Sequence, residues 1–154
     1  MEIGSKVPAF KLVDQDGREV TQDDFKDQWT VLYFYPKDDT PGCTTEACDF
    51  TAQRPQFDSL DATVVGCSPD KPEKHVKFIE KYNLNVKLLS DPDKQLMEPF
   101  GAWGKKVLYG KESIGVKRST FIIDPDGKVA HAWKSVKVKG HVDKVREKLI
   151  ALKG

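Results

Sequence analysis

Residues 30–35 constrain the fold more than any other part of the chain. The sequence Thr-Val-Leu-Tyr-Phe-Tyr is an unbroken run of β-branched, aliphatic and aromatic side chains, and Pro36 ends it. A run of this length and composition is typical of a strand whose two faces are both buried. We therefore expect a layered protein with this strand at the centre of its sheet.

The rest of the chain alternates between strand and helix patterns, without a repeat or a linker, which indicates one domain over residues 1–154. Asp-Gly pairs at 16–17 and 126–127 favour two hairpins. This order indicates an α/β fold, with a mixed central sheet flanked by helices and an N-terminal β-hairpin. We predict strands over 10–13, 18–21, 62–67, 86–89, 118–123 and 128–133, helices over 44–57, 72–82, 94–98 and 141–152, and a Gly-rich loop over 101–115.

The charge balance narrows the range of partners. Lys and Arg number 25 and Asp and Glu 24, which gives a formal net charge of +1. Such a balance exerts no strong attraction on nucleic acid or on an anionic membrane surface. The longest apolar run is far too short to span a bilayer, and the first residues show no apolar signal segment. We therefore expect a cytoplasmic protein that binds neither nucleic acid nor membrane.

The cysteine count is the unusual part of the composition. Three cysteines are an odd number, and in a reducing compartment thiols are more often catalytic, metal-bound or buried than paired in structural disulfides. A structural zinc site needs four ligands, usually in close pairs. Because the three histidines are scattered along the chain, we expect no metal site.

Cys43 occupies a position that suits covalent sulfur chemistry. Thr40 is a good helix cap and Pro41 a good first helical residue, so that Cys43 falls in the first turn. Free backbone N–H groups and the helix dipole favour a thiolate over a thiol at such a position, and the thiolate is the nucleophile. The alternative is a cysteine that only fills a buried helix start.

Cys48 follows five residues later, a spacing that an intact helix does not let a disulfide bridge. Five helical steps separate the two Cα atoms by roughly 8–9 Å, beyond the ~7 Å limit for a disulfide. Either Cys48 is an inert core residue, or the first turns of the helix must unwind during a reaction cycle. The spacing alone leaves both possibilities open.

The remaining cysteine and the histidines carry weaker signals. Cys67 ends an apolar strand, so we expect a small buried hydrophobic residue, with a back-up thiol as the alternative. We expect His75 and His141 on or near solvated helix faces and His131 within a strand.

Several motifs together resemble one family of enzymes. The pattern Pro36-x-x-x-Thr40-x-x-Cys43 resembles the active-site signature of the peroxiredoxins, which have a decorated thioredoxin-like fold. Cys48 at five residues and the sequence Trp-Gly-Lys-Lys at 103–106 are similar to the bacterioferritin comigratory protein (peroxiredoxin Q) branch. The resemblance extends from residue 7 to the final helix.

The resemblance implies a role for each matching sulfur. Cys43 corresponds to the peroxidatic cysteine, which attacks a peroxide and becomes a sulfenic acid. Cys48 corresponds to the resolving cysteine, which condenses with that sulfenic acid to an intramolecular Cys43–Cys48 disulfide. This branch is known for a local unfolding that lets the two sulfurs join, and we predict a loss of helical order from residue 40 to about residue 50 upon oxidation.

The resemblance also implies roles for the residues around the thiol. Thr40 is similar to the hydroxyl that hydrogen-bonds the thiolate and the peroxide, and Pro36 to the proline that shields the pocket. Arg118 matches the family arginine, whose charge stabilises the thiolate and the leaving oxygen. Glu46 falls where the family often has an acid, with an exposed helix acid as the alternative.

These assignments predict a thiol peroxidase that reduces hydrogen peroxide and alkyl hydroperoxides. Thioredoxin or glutaredoxin would regenerate the dithiol, without a metal, haem or flavin cofactor, and this branch is often monomeric. The alternative from another class is a peroxide-sensing interaction module that uses the same residues. A thioredoxin-like disulfide oxidoreductase is disfavoured, because it would carry Cys-x-x-Cys.

Overall fold

The computed structural model describes the backbone of residues 1–154 and every side chain except that of Leu108. A short 3₁₀ helix, Gln22–Phe25, precedes the central strand. The strands are β1 (Lys11–Asp14), β2 (Glu19–Thr21), β3 (Trp29–Phe34), β4 (Ala62–Ser68), β5 (Lys87–Ser90), β6 (Trp103–Leu108), β7 (Lys111–Val116), β8 (Ser119–Ile123) and β9 (Val129–Trp133). The helices are α1 (Pro41–Ala52), α2 (Arg54–Ser59), α3 (Pro72–Tyr82) and α4 (His141–Lys153).

Seven strands form one mixed sheet in the order β2-β1-β5-β4-β3-β8-β9. The run at 30–35 supplies β3, which pairs in parallel with β4 and antiparallel with β8. Phe34 at its end is paired with Cys67 of β4 and with Ser119 of β8. The predicted mixed sheet, its central strand and both hairpins are confirmed.

Apolar side chains pack into two clusters, separated by the alternating directions of the side chains along β3. One cluster contains Phe34 and Cys67, together with the 3₁₀ helix residue Phe25. The other contains Tyr33 and Cys43 together with buried side chains of the four helices. Cys43 and Cys67 therefore belong to different sides of the sheet.

Two helix predictions need correction. The helix predicted over 44–57 starts earlier, at Pro41, and is divided at Gln53 into α1 and α2. The helix predicted over 94–98 is a series of turns instead. There the buried Asp91 carboxylate accepts the backbone N–H groups of residues 95–97, and Lys94 has a positive φ of 58°, so the segment does not settle into a regular helix.

The loop predicted over 101–115 is wrong for most of its length, because β6 and β7 form a separate two-stranded hairpin there. Its turn at Tyr109 and Gly110 uses two positive φ angles, 54° and 78°, as the turns that fit the twist of a hairpin require. Val107 and Ile114 are exposed, which is why no buried face marked the strands in the sequence. Among the described residues, no helix has both the length and the apolar character needed to cross a membrane.

Candidate active site

Cys43 lies in the first turn of α1, where the chain turns back from the end of β3. Thr40 has the extended backbone of a helix cap, with φ −103° and ψ 156°, and Pro41 is at the start of the helix. The Cys43 side chain is buried, with an exposed fraction of 1%. The predicted placement of the thiol in a helical first turn is confirmed.

The Thr40 hydroxyl does not cap this helix with its side chain. Its Oγ1 donates to the carbonyl of Lys37 at 2.9 Å, while the Thr40 carbonyl accepts the N–H of Thr44. Since a hydroxyl has one hydrogen, it cannot donate to the Cys43 sulfur in this rotamer. Pro36, two residues after the end of β3, is half-buried beside the same loop.

Arg118 reaches the thiol from the start of β8, the strand next to β3 in the sheet. Its Nη2 donates to Cys43 Sγ at 3.1 Å, and its Nη1 donates to Glu46 Oε1 at 2.7 Å. The pairing of Ser119 with Phe34 brings the preceding Arg118 next to the loop that leaves β3. A Cβ atom at Gly42 would lie 3.2 Å from Arg118 Nη2, so glycine leaves room for the guanidinium.

Glu46 is buried, which rules out an exposed helix acid. Burial raises the pKa of the Glu46 carboxyl to about 7, against the opposing effect of the Arg118 charge. Its Oε2 has no hydrogen-bond partner among the described side chains. The carboxyl therefore holds the guanidinium through one oxygen and titrates near neutral pH.

Cys48 lies on the same helix, half-buried, and all three cysteines are free thiols. Burial raises the pKa of the Cys48 thiol, with the Asp49 carboxylate adding to the effect. Because α1 is continuous from Cys43 to Cys48, this conformation keeps the two sulfurs from bonding.

Both the middle and the end of α1 are fixed to neighbouring elements. Phe50 stacks on Tyr33 of β3, with ring centroids 4.7 Å apart. At the helix end Gln53 donates to Asp143 of α4 at 2.7 Å and accepts a hydrogen bond from Arg146. These contacts hold the second half of α1 against the sheet and α4.

Cys67 is buried in β4, as predicted, and lies in the apolar cluster on the side of the sheet away from Cys43. Burial raises the pKa of this thiol well above its usual value, and the Asp91 carboxylate adds to the shift. A neutral, enclosed thiol in that position is a packing residue.

The histidine predictions were wrong for two of the three residues. His75 and His141 are buried on helices rather than solvated, while His131 is half-buried in β9 as a strand residue. His75 contacts Asp38 at 2.5 Å, and His141 contacts Thr120 at 2.8 Å. Among the described side chains, no group of three His, Cys, Asp or Glu is placed to hold a metal ion.

The sequence contained a signal for the burial of His75, although not for its contact with Asp38. His75 and Phe78 are the buried residues of α3, whereas Val76 and Ile79 are half-buried. Counting His75 as a core residue at that helical spacing would have identified the buried face.

A buried thiol in a helical first turn, held by an arginine at the end of a mixed sheet, defines a thiol peroxidase of thioredoxin-like fold. Comparison with known proteins places the chain more closely. Residues 3–132 match the AhpC/TSA family, and the chain belongs to this family.

Proteins that match nearly the whole of this chain include several peroxiredoxins. Peroxiredoxin Bcp of Bacillus subtilis is 51% identical over 142 residues, which cover 92% of this chain and 90% of that protein. The structure of a cysteine-to-serine mutant of Xylella fastidiosa peroxiredoxin Q matches with a TM-score of 0.93 and 39% identity, covering 100% of this chain and 98% of that one. The bacterioferritin comigratory protein of Xanthomonas campestris, described for its alkyl peroxide reduction activity, matches with a TM-score of 0.89 and 41% identity over 94% and 92% of the two chains. The chain is accordingly a peroxiredoxin, an enzyme that reduces peroxides with electrons from a thiol reductant.

Proposed function

We propose that Cys43 attacks the peroxide, that Cys48 resolves the product as an intramolecular disulfide, and that thioredoxin or glutaredoxin restores the dithiol. Hydrogen peroxide and alkyl hydroperoxides are the substrates, and residues 1–154 act as one monomeric domain. The observation that carries this proposal is the 3.1 Å contact between Arg118 Nη2 and Cys43 Sγ in the first turn of α1.

In the first step the Cys43 thiolate attacks the terminal peroxide oxygen. An S–O bond forms as the O–O bond breaks, and the departing oxygen takes a proton to leave as water or an alcohol. Sulfur is oxidised to a sulfenic acid and the peroxide is reduced. Arg118 is the stabilising group, because its fixed charge faces the position where negative charge moves from sulfur to oxygen.

Glu46 and Thr40 support this step from either side of the thiol. Glu46 holds one arm of the guanidinium and so orients the other toward sulfur. Thr40 assists once its hydroxyl turns from the Lys37 carbonyl toward the thiolate and the peroxide. Pro36 shields the loop from water on the solvent side.

In the second step the Cys48 sulfur attacks the Cys43 sulfenic acid. A disulfide forms, and the hydroxyl of the sulfenic acid leaves as water with the Cys48 proton. Because the intact helix separates the two residues, the step requires α1 to unwind between the cap and the contacts of its C-terminal end.

Thioredoxin or glutaredoxin completes the cycle by thiol–disulfide exchange. The unwinding proposed above would expose the disulfide to an attacking thiol, as this exchange requires. A protein that cycles through such an exchange operates in a reducing compartment, which supports a cytoplasmic location.

Three single variants test the proposal in a peroxide assay coupled to thioredoxin. Cys43→Ser should abolish peroxide consumption, Cys48→Ser should allow at most one turnover and form no disulfide, and Cys67→Ser should cycle like the wild type. Sustained turnover by Cys43→Ser would overturn the assignment of the nucleophile. A glutaredoxin-coupled assay, run in parallel, distinguishes the two reductants.

A further inference from the structure

A buried polar network joins the loop ahead of Cys43 to the neighbouring elements. Asp38, in this loop, accepts a hydrogen bond from Tyr35 at 2.5 Å through Oδ1 and contacts His75 Nδ1 at 2.5 Å through Oδ2. His75 Nε2 contacts the carbonyl of Leu89 in β5 at 3.1 Å. The Asp38 and His75 side chains are fully buried.

The partners of His75 fix the number of protons in this network. The Leu89 carbonyl can only accept, so Nε2 carries a hydrogen, and the contact between Nδ1 and Oδ2 needs one more hydrogen between them. Burial raises the pKa of Tyr35 well above its usual value, with Asp38 adding to the shift, so Tyr35 keeps its own proton. Asp38 and His75 therefore hold two protons and no net charge, with each contacting atom satisfied.

Further contacts attach the same loop to its surroundings. The backbone N–H of Asp38 donates to Asp70 at 2.7 Å. Asp39, which has a left-handed φ of 60°, accepts from Lys81 at 2.8 Å and from the Tyr82 hydroxyl at 2.5 Å. The loop is thus held by side chains of α3, while the first turns of α1 contact Arg118 through Cys43 and Glu46.

We propose that Asp38 and His75 are positioning residues, which keep the loop ahead of Cys43 fixed on α3 and β5 while α1 unwinds and re-forms. The proposal rests on the proposed function, because it assumes that Cys43 reacts with the peroxide and then joins Cys48. Since Cys43 follows Asp38 by five residues, a fixed Asp38 limits how far the sulfur travels. It also returns the sulfur to Arg118 after reduction.

Four variants separate positioning from general stability, with stopped-flow rates for the peroxide step and for disulfide closure. Asp38→Ala and His75→Leu should slow the peroxide step by about tenfold, as small displacements of reacting groups do, without slowing closure. Asp38→Asn should behave like the wild type, because its amide can donate to a neutral His75 and accept from Tyr35. Asp14→Ala, which removes a buried carboxylate from the N-terminal hairpin, should lower the melting temperature and leave both rates unchanged.

A wild-type rate for the peroxide step in Asp38→Ala and His75→Leu would overturn the inference, as would equal slowing of both steps. Amide hydrogen exchange on the wild-type protein provides a second test, which does not depend on whether a variant folds. The Asp38 amide should stay protected in both the reduced and the disulfide form. If mass spectrometry shows the Cys43–Cys48 link and this amide exchanges freely, the inference fails while the proposed function stands. If no link forms, the proposed function fails.

Discussion

Arg118 and Cys43 are 75 positions apart in the sequence, and the guanidinium Nη2 of one lies 3.1 Å from the sulfur of the other. The second arm of Arg118 is held by the buried Glu46 carboxyl at 2.7 Å. This fork fixes the position of a charge that cannot be lost, next to the atom that reacts. A positive charge alone, without this two-armed contact, should not support the reaction equally well.

Arg118→Ala should lower kcat/KM for hydrogen peroxide by roughly 10²–10³-fold, the usual cost of removing one donor aimed at developing charge. Arg118→Lys should fall between this variant and the wild type, because an ammonium keeps the charge and loses the two-armed geometry. Single-turnover rates of sulfenic acid formation measure the effect directly. Arg18→Ala, at an exposed position of the N-terminal hairpin, is the control, and equal loss there would contradict a local role for Arg118.

Disulfide formation should remove the amide protection of α1 without opening the rest of the protein. The helix must release Cys48 toward Cys43, whereas Gln53 is held by α4 and β3 is held on both sides by neighbouring strands. Hydrogen exchange by mass spectrometry should show faster exchange from about residue 41 to residue 50, and unchanged exchange in α4 and β3. Unaltered protection of α1 in the disulfide form would contradict the prediction.

Cys48→Ser provides the matched control for this experiment. Its Cys43 can be oxidised by peroxide and has no partner sulfur, so α1 should keep its protection in that variant. Faster exchange in oxidised Cys48→Ser would show that oxidation of Cys43, rather than the disulfide, opens the helix.

The elements that the sequence predicted well have strong local patterns. The run at 30–35 and the apolar residues of α4 at 142, 145 and 149 each mark their burial within a few residues, because a central strand and an amphipathic helix bury residues at fixed intervals. The β6–β7 hairpin was missed, because Val107 and Ile114 face outward and the strands lack an alternating pattern. The contact between His75 and Asp38 was not predicted, since the two residues lie 37 positions apart.

The features of the active site also fall into two groups: those that neighbouring residues predict and those that depend on contacts far along the chain. Placing Cys43 in a helical first turn needed only Thr40 and Pro41, which are neighbours in the sequence. Linking that thiol to Arg118 depended on family resemblance, because sheet pairing across the whole domain determines which residues meet. The burial of Glu46 could not be predicted from its neighbours in the sequence either, since its ion-pair partner Arg118 lies 72 positions away.

Cys67 should stay unmodified when the native protein is exposed to a thiol-alkylating reagent or to one equivalent of peroxide. Its side chain has no exposed surface, and it lies on the other side of the sheet from Cys43. Peptide mapping should find the Cys43–Cys48 link together with a free Cys67, and Cys48 should be alkylated before Cys67 in the reduced protein. A mixed Cys67 disulfide at stoichiometric peroxide would contradict this.

Glu46 should make the reduced protein less stable as the pH rises toward neutrality. Its pKa is raised from 4.5 to about 7 in the folded protein, so between these values the native state holds a proton that the unfolded state has lost. The Glu46 contribution is therefore fully present below about pH 4.5 and is lost as the pH rises through about 7. A shift of this size corresponds to about 3 kcal/mol in the free energy of unfolding.

Glu46→Gln isolates this effect, because glutamine does not titrate and keeps a similar shape. His141 acts in the opposite direction over much of the same range. Burial lowers its pKa to about 4, with Lys144 and Arg118 adding to the shift, so its contribution is lost as the pH falls below about 6.5. Urea unfolding of reduced wild type and Glu46→Gln from pH 4 to pH 8 should therefore be compared as a difference, in which the His141 effect cancels. The free energy of unfolding of the wild type should fall relative to that of Glu46→Gln as the pH rises. A difference that does not change with pH would show that Glu46 ionises at its ordinary pKa beside Arg118.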